Sequence, residues 1–255
     1  MIKIGKHVMY DIVRNKVLLL YTALLLILSY TLLYFEADAS KSIASLLSIV
    51  LIIVPLISVV FSSTYYYNAY EFTKLLVAQP LSRNTIIMGE YMGVACALLL
   101  AFLIGVGIPL ITLNNTKSAY ILLFSGAALT LSFTSLSFLI SVLNREKARG
   151  IGAVLLMWLY FSILYDAMVL GIMLVFSDYP LEKIVILLTT FNPIDLARIL
   201  VLMQLDISAL MGFTGAVYQD FFGGNFGMIV SASVLLGWIF LPLFLAILKF
   251  RKKNI

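Results

Sequence analysis

Charged residues are scarce in this chain. They make up 11% of its 255 residues, whereas hydrophobic residues make up 63%, and the mean hydropathy is +1.10. A soluble domain is typically about a quarter charged and about half apolar. No water-soluble fold could bury this much apolar surface, so the solvent of most of the chain is lipid. We therefore expect one integral membrane domain over 1–255 and not a series of soluble domains.

Cysteine and histidine are almost missing as well. Cys96 is the only cysteine, which excludes an intrachain disulfide, and its apolar neighbours indicate a packed thiol. His7 is the only histidine and precedes the first apolar run, so metal clusters and Ser/His catalysis based on histidine inside the membrane are excluded. Among the ten methionines, Met203 and Met211 in the outer region could suggest soft-metal binding, but no Cys or His is near them, and we interpret the methionines as packing residues. We expect this chain to bind no metal and no cofactor.

A nucleotide-binding loop is the third absence. The glycines at 223–227 are not followed by the Lys-Ser/Thr pair that a phosphate-binding loop requires. If ATP drives this protein, the ATPase is a different polypeptide.

Long apolar runs are what the chain has in abundance. Six of them reach the roughly 20 residues that a helix needs to cross the hydrocarbon core, and none alternates as a barrel strand would. We predict an all-α integral membrane fold with six transmembrane helices at about 17–35, 43–68, 85–112, 119–143, 151–176 and 228–249. The first run is longer than the apolar part of a signal peptide, so we interpret it as an uncleaved span.

The residues before the first span predict an interfacial helix over 1–16. Polar and apolar positions form two stripes at helical spacing: Lys3, His7, Asp11 and Arg14, and beside them Ile4, Val8 and Ile12. Such a helix lies with its apolar face toward the lipid and its basic residues toward anionic headgroups. A frayed basic tail is the alternative.

Lys and Arg predict the orientation. With the N-terminus inside, 13 of the 17 basic residues are cytoplasmic, which leaves Lys41, Lys117, Lys183 and Arg198 outside. This asymmetry places both termini in the cytoplasm. Because the basic residues flank the spans, the pI of about 9.2 does not indicate binding to nucleic acid.

The inner loop at 70–84 has the composition of a docking element. Glu71 and Lys74 can pair on a short helix, 75–77 supplies an apolar side, and Pro80 ends the helix. Such an element fits the groove of a soluble partner. A merely solvated connector is the alternative.

The outer segment at 177–227 predicts short helices at or dipping into the outer leaflet, not a soluble domain. Asn192 and Pro193 suit the N-cap and N1 positions of a helix, and Asp195 can pair with Arg198 one turn later. Capping alone explains the first three of these residues. A second helix is expected from Asp206 to Gly212.

Two acids require an explanation. Asp166 lies inside the fifth span and is either a pathway or proton-relay group, or a neutral or hydrogen-bonded acid with Tyr165, Tyr160 or a nearby serine as its partner. Glu90 lies close enough to the inner end of the third span to reach the headgroups, which favours a structural role.

With these features in view, the chain resembles the ABC-2-type transporter permeases. The resemblance rests on 75–83, 165–166, 192–198 and 211–216, within a layout of interfacial helix, six spans, helical inner loop and short outer helices. Within that family, the outer motifs resemble the permeases that serve copper-site maturation of nitrous oxide reductase more than they resemble drug or lipid exporters.

The resemblance implies a set of partners and sites. The partners are a second copy of the chain, a cytoplasmic ATPase (NosF-like) that uses the ATP, a periplasmic β-helical protein (NosD-like) and a copper chaperone, at the bacterial inner membrane. The implied ATPase-coupling residues are Glu71, Lys74, Gln79, Pro80 and Arg83. The implied residues for contact with the periplasmic partner are Asn192, Pro193, Asp195, Arg198, Gly212 and Thr214.

Other functions stay open on the sequence alone. One is an ABC-2 exporter permease for another substrate. Another is a proton-coupled secondary transporter that uses Asp166, which predicts activity without an ATPase. An intramembrane enzyme would have no plausible catalytic group beyond that same residue.

Overall fold

The computed structural model describes residues 2–36, 38–78, 81–176, 182–205 and 225–252, and all regular structure in these ranges is helical. The twelve α-helices described are α1 (Ile2–Val13), α2 (Lys16–Phe35), α3 (Ala39–Asn68), α4 (Tyr70–Val77), α5 (Arg83–Phe102), α6 (Ile108–Leu113), α7 (Lys117–Leu143), α8 (Lys147–Leu159), α9 (Tyr165–Val175), α10 (Glu182–Thr190), α11 (Pro193–Leu202) and α12 (Asn225–Arg251). Two π-helical turns, Leu103–Gly107 and Tyr160–Leu164, join α5 to α6 and α8 to α9.

Six helical segments are long and apolar enough to cross a membrane, with mean hydropathies between 1.8 and 2.9. They are α2, α3, the continuous segment Arg83–Leu113, α7, the continuous segment Lys147–Val175, and Gly227–Arg251 of α12. The predicted all-α membrane fold with six transmembrane helices is confirmed.

The spans alternate between two ends of the bundle. We call the end that holds residues 2, 252, 69 and 144–146 the terminal face; there Arg83 Nη1 donates to Arg251 O at 3.0 Å. The opposite end, with residues 36, 38 and 114–116, is the far face; there Asn114 Nδ2 donates to Ala39 O at 3.2 Å.

Short polar side chains set where the spans begin. Each of four N-cap side chains accepts a hydrogen bond from a backbone N–H in the first turn of the helix that follows it, which satisfies a donor that the helix itself leaves unpaired. These residues are Asn15, Asp38, Ser82 and Thr116.

Helix α7 is the centre of the bundle and packs against α3, α5, α11 and α12. Some of its buried hydroxyl groups donate to backbone carbonyls, as Thr130 Oγ1 does to Gly126 O and Ser137 Oγ to Val59 O. Small residues also let neighbouring helices come close, since a Cβ on Gly126 would overlap the ring of Phe102. The polar character of α7 therefore serves close helix packing within lipid.

Helix α1 forms as predicted, so the frayed-tail alternative is wrong. Its apolar stripe, however, packs on protein: Val8 and Ile12 are each 1% exposed, and α1 lies along α5. Gly93 of α5 permits this approach, because a Cβ there would overlap Val8 and lie 2.9 Å from Gly5 O. The expectation that this stripe faces lipid is corrected, because α5 covers it.

Helices α10 and α11 form a hairpin that enters the bundle from the far face. Its turn, at 191–192, reaches mid-span: Asn192 Nδ2 donates to Phe161 O at 3.0 Å, and Trp238 Nε1 donates to Thr190 O at 3.2 Å. Phe161 is the midpoint of Lys147–Val175, about 20 Å from its far end.

The other end of this hairpin returns to the far face, where Ser118 Oγ donates to Gln204 O at 2.9 Å. Short helices at or dipping into the far-face side of the membrane were predicted. The two helices go deeper than expected, to mid-span, and together they enter and leave the bundle on the same face. The predicted helix at 206–212 lies outside the described residues.

Candidate functional site

Four polar side chains meet halfway through the bundle, and we call them the mid-span cluster: Asp166, Asn192, Asp195 and Arg198. Arg198 Nη1 donates to Asp166 Oδ2 at 2.9 Å and lies 3.0 Å from Asp195 Oδ1. One guanidinium group therefore serves two carboxyl groups, one from the fifth span and one from the hairpin. The predicted pair between Asp195 and Arg198 is confirmed.

Asn192 connects this cluster to the fifth span. Its Oδ1 accepts from Ile194 N at 3.0 Å, which is the predicted N-cap, and Pro193 occupies N1. Its Nδ2 donates to both Phe161 O and Asp195 Oδ2, each at 3.0 Å. Phe161 belongs to the π-helical turn, a local widening at which backbone groups become available to side chains of other elements. Asn192 is fully buried and all its polar atoms are used.

The partner of Asp166 differs from the one expected. Tyr165, Tyr160 and a nearby serine were the predicted partners, whereas the structure pairs Asp166 with Arg198. The Tyr165 hydroxyl donates instead to Leu188 O at 2.6 Å. This pair was not predicted because Arg198 was assigned to an outer loop. The signal available in the sequence was that an acid inside a span needs a cation at the same depth.

The mid-span cluster can hold the hairpin to the fifth span by directional charged contacts. Its side chains are only partly enclosed, at 34% exposed for Arg198, 30% for Asp166 and 14% for Asp195. An apolar cavity of about 450 Å³ borders the hairpin turn beside Phe191 and Trp238. Among the described residues no group of three or more Asp, Glu, His or Cys side chains has the geometry of a metal site.

The second candidate site lies on the terminal face, in the segment from Tyr70 to Arg83. Lys74 Nζ donates to Glu71 Oε1 at 2.9 Å, which confirms the predicted pair, and Glu71 is 81% exposed. This hydrogen bond raises the pKa of Lys74. The Lys74 ammonium also lies 4.7 Å from the centre of the Tyr70 ring. The exposed side of α4 thus carries a fixed charge pair.

The apolar residues of α4 divide between its two sides. Leu76 is 8% and Thr73 2% exposed, so both face the protein, whereas Leu75 is 67% and Phe72 40% exposed. The expectation that 75–77 forms one outward apolar side is therefore wrong for Leu76, because a helix separates consecutive residues by about 100°.

Three other residues of this segment have different outcomes. Gln79 and Pro80 lie outside the described residues. Arg83 contacts its own chain, through the Arg251 carbonyl at the end of α12. A cation is favoured at that helix end by the helix dipole.

Glu90 was predicted to have a structural role close enough to the inner end of the third span to reach the headgroups, and this predicted position is wrong. It is 1% exposed and does not reach the surface; its Oε1 lies 2.6 Å from Thr73 Oγ1 of α4. Its depth in α5 puts it two turns inside the bundle, where α1 and α4 cover it. Hydropathy alone indicates depth along a span but not which neighbouring helices cover a residue.

The fold and both sites define a multi-pass membrane protein with an exposed helix on one face and a hairpin that enters from the other. The family model described as "ABC-2 family transporter protein" matches residues 2–255. The chain therefore belongs to the ABC-2 transporter family, as the membrane permease subunit of an ABC transporter, which implies a partner ATPase.

Two relatives are similar along most of their length. "Probable ABC transporter permease protein NosY" of Pseudomonas aeruginosa is 29% identical over 230 residues, covering 82% of this chain and 84% of the relative. The protein of the same name from Stutzerimonas stutzeri is 25% identical over 275 residues, covering 98% and 97%.

Proposed function

We propose that this permease couples ATP hydrolysis by a separate cytoplasmic, NosF-like ATPase to events on the periplasmic side, in copper-site maturation of nitrous oxide reductase. The relatives named NosY support this assignment. The permease itself binds no cofactor in this proposal, and ATP is used by the partner. The work done on the periplasmic side is either movement of a copper or sulfur species or reshaping of a periplasmic partner.

The observation that carries the proposal is the division of α4 into two sides. Glu71 and Leu75 point away from the chain, and Phe72 is partly exposed beside His7. Thr73 and Leu76 anchor the helix to the chain. An exposed leucine and phenylalanine beside a charged pair are what a docking helix presents to a groove. From the positive-inside distribution of Lys and Arg we infer that this helix lies on the cytoplasmic side, where we propose that the ATPase docks.

The mid-span hairpin is the element that we propose responds on the other side. It contacts the fifth span through the mid-span cluster and the sixth through Trp238, so a shift of these spans moves it. Asn192 and Pro193 are buried, so we propose that they act on a NosD-like partner indirectly, by holding α11 in place. Gly212 and Thr214, proposed for direct contact, lie outside the described residues.

A second copy of the chain is part of the proposal. Within one chain, only 11% of the most apolar stretch of the fifth span is buried, compared with 28% to 72% of the corresponding stretches of the other spans. This leaves a long side of Lys147–Val175 available to a second subunit. A copper chaperone completes the proposed set of partners on the periplasmic side.

The test compares two ion pairs of the same type on the terminal face. Glu71 pairs with Lys74, and Glu146 pairs with Arg149 at 3.1 Å; both pairs are exposed and span three residues. Exposed pairs stabilise a fold by only about 0–1 kcal/mol. Neither Glu71→Ala nor Glu146→Ala should therefore unfold the permease, and any difference reports on the partner.

We expect Glu71→Ala to lower the ATPase activity of the copurified complex several-fold, together with the copper content of the reductase, while Glu146→Ala leaves both unchanged. In a Cys96→Ser background, Leu75→Cys should also cross-link to the ATPase. Equal activities for the two variants, together with no cross-link, would rule out this role for α4.

A further inference from the structure

We propose that the Thr73–Glu90 hydrogen bond is what fastens α4 to the third span, so that Glu90 is a positioning residue through which movement of α4 reaches the membrane. The inference rests on the proposed function, because it assigns a route to the coupling that α4 performs. It concerns residues that lie away from the exposed side of α4.

The geometry of the contact is specific. Thr73 Oγ1 lies 2.6 Å from Glu90 Oε1 and 2.9 Å from Ala69 O in its own helix. A threonine hydroxyl has one hydrogen and two lone pairs. It can therefore join a side chain of the third span to the backbone of α4 at its first turn.

The position of Glu90 argues against a packing role alone. Both side chains are almost fully buried, at 1% for Glu90 and 2% for Thr73, and Glu90 Oε2 has no hydrogen-bond partner among the described residues. Burying an acidic side chain in a span costs free energy, and an apolar residue would fill the same space more favourably. What the carboxyl group provides and an apolar group cannot is a directional bond to α4.

Helix α1 closes the same site. Glycine at positions 5, 89 and 93 brings α1 against α5 beside Glu90; a Cβ on Gly5 would lie 3.3 Å from Gly89 O. On its other side, His7 of α1 contacts the ring of Phe72, with ring centres 6.2 Å apart. The three helices α1, α4 and α5 are thus packed together around Thr73 and Glu90.

Other contacts of α4 do not provide this link. The Glu71–Lys74 pair is internal to α4 and largely exposed. Leu76 is buried, but an apolar contact is non-directional and permits sliding. The Thr73–Glu90 contact, in comparison, is a directional hydrogen bond between buried side chains of α4 and α5.

The experiment compares variants that keep the bond with variants that remove it. Thr73→Ser and Glu90→Gln retain a hydroxyl and a polar partner. Thr73→Val removes the hydroxyl at nearly constant shape and leaves the acid unpaired. The double variant Thr73→Val with Glu90→Leu replaces both partners by apolar groups, which is close to neutral for stability.

The readout is a distance between α4 and α5 in the purified complex with the ATPase. Spin labels at Ala78, which follows the last residue of α4, and at Met92, both exposed, are attached in a Cys96→Ser background and measured with and without ATP. We expect one narrow, nucleotide-independent distance in the parent, Thr73→Ser and Glu90→Gln proteins. In Thr73→Val and in the double variant we expect the distance to broaden on ATP addition and the coupled ATPase rate to fall about tenfold.

The double variant makes the inference falsifiable even if Thr73→Val folds poorly. A stable double variant with the parent's distance and the parent's ATPase rate would overturn the role of the bond. This failure is distinct from failure of the proposed function. A missing cross-link between the ATPase and Leu75→Cys would reject coupling through α4. A normal cross-link, together with unchanged distances and ATPase rates in the Thr73 and Glu90 variants, would reject only the role of Glu90.

Discussion

Substituting Arg198 by methionine tests whether the mid-span cluster holds the hairpin in place. Methionine keeps an unbranched side chain of similar length but removes the cation that lies 2.9 Å from Asp166 and 3.0 Å from Asp195. The two carboxyl groups then face each other without compensation, although the Asn192 amide still donates to Asp195. The hairpin should therefore be held less firmly against the fifth span.

The size of the effect follows from how enclosed the cluster is. Removing one partner of a fully buried ion pair is destabilising by about 3–5 kcal/mol. The three side chains here are 14% to 34% exposed, so water reduces the effect to about 2–3 kcal/mol. For a chain of this length, each kcal/mol lowers the unfolding temperature by about 2–4 °C, which predicts a loss of about 4–12 °C.

The assay is thermal unfolding of the purified permease in one detergent, followed by tryptophan fluorescence. Trp238 is a suitable reporter because its indole donates to Thr190 O at the hairpin turn. A triple variant that combines Arg198→Met with Asp166→Asn and Asp195→Asn removes the uncompensated charge and should recover at least half of the loss.

Two results would refute this reasoning. One is an Arg198→Met protein that unfolds within about 1 °C of the parent. The other is a triple variant that is no more stable than Arg198→Met. Either result would mean that apolar packing, and not the shared guanidinium, positions α11.

Two further predictions concern helix contacts. Gly93→Ala should lower the free energy of unfolding by about 1–3 kcal/mol, because its new Cβ overlaps Val8 and displaces α1. Gly171→Ala is the neutral control, because a Cβ there meets nothing within 4 Å. Unfolding temperatures measure both effects. Asn192→Ala removes a helix cap and the donor to Phe161 O, at a cost of about 2 kcal/mol or more, and should speed hydrogen exchange in the first turn of α11. Asn192→Ser keeps a side-chain cap without adding a charge and should recover about 1 kcal/mol.

Much of the fold followed from simple rules. Apolar runs located all six spans, and the Asn192-Pro193 pair located the start of α11. Their boundaries erred where polar residues belong to a span: α3 begins at Ala39, capped by Asp38, earlier than the apolar run that was counted. Hydropathy marks the lipid-facing part of a helix, while capping chemistry marks its ends.

The sites were harder to predict because they depend on which helices are neighbours. The apolar stretch at 184–188 is too short to cross the membrane, and it lies in α10, which together with α11 reaches mid-span and returns. Asp166 and Arg198 are far apart in sequence, and only the fold shows that the hairpin joins them. Glu90 was placed near the surface for the same reason, since nothing local indicates that α1 and α4 cover it.

The hairpin also dictates the order in which the protein can be built. Residues 182–205 leave the ribosome before α12, yet Thr190 accepts its hydrogen bond from Trp238, and α11 packs against α12. Until that last helix has been inserted, the buried groups of the hairpin have only part of their final surroundings. Docking of the hairpin is therefore completed only once α12 is in the membrane, and a chain truncated before α12 would leave the hairpin groups that α12 contacts uncovered.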